Sequence, residues 1–161
     1  MKDLKLGLFA LSSILIGYIY NLTLLTPVVG TLLFWLMPFV LLIYWFWVGG
    51  KFAEGINNPI IAIIFGNSFG VISILLYIWQ FNFLSDAKRS MLLAGFSQVF
   101  SAPLSWITVR LGVLFEAKSG MISQTSLNAM QVIGLLIMVV VFTIGYSRGR
   151  KKLYKRQSLD F

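Results

Sequence analysis

Residues 57–80 read NNPIIAIIFGNSFGVISILLYIWQ. Asn58 before Pro59 is a helix start: the asparagine side chain can accept from the free amides of the first turn, and proline fits there because its missing N–H has no partner to lose. The apolar run that follows is long enough, at about 1.5 Å per residue, to cross a hydrocarbon core of about 30 Å. Its middle is Gly66-Asn67-Ser68-Phe69-Gly70. An amide left unpaired in hydrocarbon costs several kcal/mol, on the order of 2–7, so Asn67 must face protein or water.

The rest of the composition agrees with this stretch. Charged residues make up 11% of the 161-residue chain and hydrophobic ones 58%. Soluble domains carry about 25% charged residues, so this chain cannot cover a water-facing surface. An all-α integral membrane protein follows, with a transmembrane domain over 1–147 and a basic tail over 148–161. The expected spans are about 6–25, 28–48, 59–81, 91–115 and 127–145.

Each boundary has a local cause. Pro27 should end the first span, because proline removes a donor and clashes with the preceding turn. Pro38 should bend the second span, and Gly49-Gly50 should end it. Tyr44-Trp45-Phe46-Trp47 reads as an interfacial aromatic belt. The fourth segment carries Pro103, which should bend or unwind it. Along it Ala94, Ser97, Gln98, Ser101, Ser105, Thr108 and Gly112 recur at three- and four-residue spacing, within a sector of roughly 100°.

Arg148, Arg150, Lys151, Lys152, Lys155 and Arg156 crowd the C-terminus. Charge placed beside a span is a topology signal, so the tail is expected in the cytoplasm of a multi-pass cell-membrane protein. No nucleic-acid partner is expected. Five spans put Lys88-Arg89 on the same side as the tail but leave Lys2 and Lys5 outside. The alternative has four spans and a re-entrant or interfacial fourth segment, with the N-terminus inside. The larger C-terminal excess favours five.

The chain has no cysteine and no histidine, and only five acidic residues. Thiol chemistry, the usual general base and clustered metal ligands are all missing, so neither an enzyme nor a metal or cofactor site is expected. What remains is polar and neutral. Asn67, Ser68, Ser97, Gln98, Ser101 and Ser105 are candidate ligand-binding residues, Gly66 and Gly70 candidate packing residues, and Pro38 and Pro103 candidate bends. Arg110 and Glu116 stand near the membrane edges, on different helix faces, with Arg110 expected to reach headgroups.

The favoured function is a transporter, or the membrane-embedded solute-binding subunit of a transport system, for a small neutral or zwitterionic solute. Besides the lipid bilayer, a second copy or a partner membrane or ATPase subunit is expected, since no phosphate-binding glycine loop is present. The alternative is a membrane adaptor, immunity-type or assembly protein whose polar stripes only pack helices. In either case the fourth-segment stripe is the expected counterpart of Asn67.

Overall fold

The computed structural model describes residues 2–115 and 123–158. Among these there is no strand. Helix α1 runs Lys2–Thr23, and a short turn leads to α2, Pro27–Gly55. Pro27 occupies the first turn of α2, as its absent N–H allows. Asn58 then caps α3, Pro59–Ile78, its Oδ1 accepting from the amides of Ile60 at 2.9 Å and Ile61 at 3.4 Å. One π-helical turn, Trp79–Phe83, extends α3.

The fourth segment is two helices, α4 over Met91–Gln98 and α5 over Ser105–Gly112, and it bends by 53° between Met91–Gln98 and Ala102–Gly112. Between them Ala102–Leu104 forms a 3-10 turn around Pro103. Proline there removes the N–H that would close an α-turn onto the Val99 carbonyl. Helix α6, Gln124–Gln157, completes the chain, with Ser123 Oγ accepting from the Ser126 amide at 3.1 Å. Among the described residues four helices are long and apolar enough to cross a membrane, or five if α4 and α5 count as one.

Contacts fix the direction of each helix. At one end of the bundle Leu6 lies against Gly55, and Tyr146 Oη donates to the carbonyls of Ile56 at 2.8 Å and Asn57 at 2.9 Å. Arg150 donates to the Asn57 side chain there at 2.8 Å. This is the tail end: α1 starts at it, α2 and α6 finish at it, and α3 starts from it. At the opposite end Gln124 reaches Tyr77 and Asn128 reaches Asn82, each at 3.4 Å. So α2 and α6 are parallel, and α1 and α3 run against them.

The segment between α3 and α6 therefore leaves and returns at one end. Its start is held where the Ser90 amide donates to Gln80 Oε1 at 3.0 Å, and its finish where Gly112 abuts Met130. Its tip goes deeper: Val99 meets Gly17 of α1, and Phe100 stands 6.3 Å from the Trp45 ring. The fourth segment thus begins beside Gln80 and finishes beside Met130, with the break at Pro103 between its two helices.

Two expectations about these helices are corrected. Gly49 and Gly50 do not end α2, which continues to Gly55; they are the face on which α6 lies, and a Cβ at Gly49 would overlap the Phe142 carbonyl. Glycine inside a helix terminates nothing when a neighbouring backbone replaces the missing side chain. Trp45 is not an interfacial anchor. It is fully buried among Phe52, Phe100 and Phe142, although Trp47 nearby is 46% exposed. The basic tail is helical through Gln157, a direct continuation of α6. Pro38 sits buried within α2, which runs on past it.

Candidate functional site

Asn67 is 2% exposed, and its oxygen and nitrogen are each bonded inside the chain. Its Oδ1 accepts from Trp45 Nε1 at 3.2 Å, and its Nδ2 donates to the Ile63 carbonyl of its own helix at 2.9 Å. Gly66 lies against the Phe142 ring and Gly70 against Phe100 and Leu135, where any Cβ would collide. Ser68 is half-buried and donates to Phe65 of its own helix at 2.9 Å. The centre of α3 is thus a clasp onto α2, α6 and the tip of the α4–α5 hairpin. The counterpart of Asn67 is Trp45; the fourth segment meets α3 lower down, where Ser73 Oγ donates to the Ser97 carbonyl at 2.7 Å.

The hairpin's other face builds a cavity of about 350 Å³. Gln98, Ser101, Ser105 and Thr108 line it from the hairpin, Asn21 from α1, Tyr77 from α3 and Gln131 from α6. Among the described residues none that lines it is charged. The break at Pro103 is what gathers these side chains, since it lets α4 and α5 present the stripe from two directions. Ser97 is not among them: fully buried, its hydroxyl donates to the Ala94 carbonyl at 2.7 Å.

The hydroxyls are largely spent on the hairpin itself. Ser105 Oγ donates to the Ala102 carbonyl, and Thr108 Oγ1 to the Leu104 carbonyl at 3.3 Å. Ser101 Oγ bonds both the Gln98 carbonyl, at 3.2 Å, and Gln131 Oε1. The amides retain capacity. Gln98 donates only to the Ala94 carbonyl, at 3.2 Å, which leaves its Oε1 as an acceptor, and Gln131 keeps its Nε2 donors. Asn21 adds a third amide. Gly95 stands on the same wall, with nothing within 4 Å of where its Cβ would be.

Asn21 and Gln131 were not legible as site residues. Each is a single polar position in an apolar run, and only the approach of α1 and α6 to the hairpin gives it meaning. A weak signal existed at Gln131, which shares one face of α6 with Leu127, Met130 and Gly134. Arg110 is exposed, its guanidinium 4.8 Å from the Trp106 ring and 5.9 Å from the Trp35 ring, a cation–π arrangement. Glu116 lies outside the described residues.

Searches against protein-family models, curated proteins and solved structures find no match to this chain.

Proposed function

We propose that this chain is a multi-pass membrane protein that binds a small neutral or zwitterionic solute in the cavity between the α4–α5 hairpin and α6. It crosses the cell membrane four times, with the hairpin re-entering from the side opposite the basic tail. Lys5, Lys51 and the tail then share the cytoplasmic side, which satisfies the positive-inside bias more fully than five crossings do. The observation that carries the solute reading is the lining: amide groups with unspent hydrogen-bonding capacity, no charge among the described residues, and a volume suited to a small molecule. Irregular backbone at such depth is tolerated where it borders protein or a cavity, and the Pro103 turn does so. A scaffold this narrow serves transport through a second copy or a partner subunit, an ATPase among the candidates. No catalytic step belongs to it.

The test is a thermal-shift panel on the purified full chain in neutral detergent, using polar solutes of each charge class. Neutral or zwitterionic solutes should raise Tm, and Gln131→Leu should abolish the effect. Gly95→Leu should fill the cavity without a clash and remove binding, while the unliganded protein melts no lower. Shifts confined to charged solutes, or surviving in both variants, would overturn the reading. A chain that binds no solute but retains a membrane partner through purification would be the adaptor instead.

A further inference from the structure

A second concavity lies at the tail end, far from the hairpin cavity. It is about 420 Å³ in volume and runs between α2 and α6. Glycines create it: Gly145 packs on the Phe46 backbone, and a Cβ at Gly149 would stand 2.8 Å from Ala53 Cβ and 3.0 Å from the Gly50 carbonyl oxygen. With the two backbones this close, the longer side chains on either side splay outward and leave a groove.

That groove is basic on its α6 wall, and its α2 wall carries Lys51 beside Glu54. Arg148, Lys152 and Arg156 line it from α6, and Lys51 and Trp47 from α2. Steps of four residues turn the helix by about 40°, so the three α6 cations form one slanted stripe rising about 6 Å per step. Glu54 is the single acid present, and Lys51 engages it at 3.1 Å and 3.2 Å. Among the described residues Arg148, Lys152 and Arg156 have no carboxylate partner. Arg148 leans over the Phe46 ring at 5.8 Å. Like charges gathered in a partly sheltered groove repel unless an anion sits among them.

We infer that this groove binds a phosphate-bearing anion with more than one negative charge, such as a two-phosphate headgroup. Two guanidiniums supply the forked donors that phosphate oxygens accept, Lys152 supplies point charge between them, and Lys51 faces them from the other wall. The stripe extends about 12 Å from Arg148 to Arg156, enough for two phosphates rather than one. Its place at the foot of the apolar helices fits a headgroup at the cytoplasmic leaflet, where basic pockets between helices hold such lipids. A soluble diphosphate offers the same chemistry, so source and site are tested together.

The full chain is delipidated in neutral detergent and titrated with tetraoleoyl cardiolipin, dioleoyl phosphatidylglycerol or inorganic pyrophosphate, and bound species are counted by native mass spectrometry. Cardiolipin should bind tightest if the source is lipid; pyrophosphate that binds without lipid and displaces cardiolipin would identify a soluble source. In both cases Lys152→Gln/Arg156→Gln should weaken binding at least about tenfold, and Lys51→Gln on the opposite wall should weaken it too. Lys151→Gln/Lys155→Gln removes the same charge outside the groove and should change it less than about twofold. Equal losses in the two double variants would mean diffuse attraction by the tail and overturn the proposal, as would binding of none of the three probes. Failure here leaves the hairpin cavity untouched, since the two concavities share no lining residue.

Discussion

Asn67 shows how a polar residue in an apolar helix can be spent within the chain. The sequence requires that it face protein or water; it cannot say which, because the partner, Trp45, is 22 positions away on a helix whose aromatic run resembles a membrane-edge belt. Hydrogen bonds between helices in apolar surroundings contribute about 0.6 kcal/mol on average and up to about 1.7. Asn67→Leu should therefore lower unfolding free energy by about 1 kcal/mol and leave solute binding at the hairpin unchanged, because Asn67 does not line that cavity. Trp45→Phe combined with Asn67→Leu should cost less than the two single changes summed, as a double-mutant cycle in reversible detergent unfolding would record. Additive losses would mean the bond contributes nothing. At the hairpin the residues were legible as a group: Gln98, Ser101 and Ser105 do share one cavity, and only Ser97 turns away.

Among the elements, the pairing of α2 with α6 dominates, and its mechanism is the removal of side chains. A Cβ at Gly145 would overlap the Phe46 carbonyl, whereas one at Gly50 would find its nearest neighbour, the Gly145 carbonyl oxygen, at 3.7 Å. The two glycines should thus respond oppositely. Gly145→Ala should destabilise by about 1–3 kcal/mol, the usual cost of overpacking. Gly50→Ala should be neutral or stabilising by up to about 1 kcal/mol, because alanine is the better helix former. Thermal melts of the two variants check this, and a Gly50→Ala loss as large as that of Gly145→Ala would refute the packing account. The helices themselves were readable from run length, Pro27 and the Asn58 cap. Their ends were not: Gly49-Gly50 looks like a stop unless the helix packed on it is known, and the last span, expected to finish at about 145, continues as α6 to Gln157.

Across the whole molecule the decisive feature is the direction of α6. Since it runs parallel to α2, the chain between α3 and α6 makes no net crossing, and the first and last helices meet the same end of the bundle. Sequence alone left this choice to a charge count, in which the conflict at Lys2 and Lys5 was outvoted by the tail. The absence of cysteine makes the test direct. In the proposed membrane orientation, Lys5→Cys and Ser158→Cys should both resist a membrane-impermeant maleimide in sealed cells, while Asp86→Cys should react. Reaction at Lys5→Cys with protection at Ser158→Cys would restore the five-span path.

The parallel α2–α6 pair also carries an implication for the order in which the protein is made. Helix α2 leaves the ribosome before α3, α4 and α5, yet the partner that fills its glycine face is synthesised after all of them. Until α6 arrives, Gly49 and its neighbours present a bare backbone strip, and the nearest matching surface is the same strip on another nascent chain. The tip of the hairpin, wedged against Gly17 and Trp45, lies between these two events in time and can hold α1 and α2 together during the wait. Assembly of this small bundle is thus a matter of keeping one surface unsatisfied long enough for the right helix to reach it.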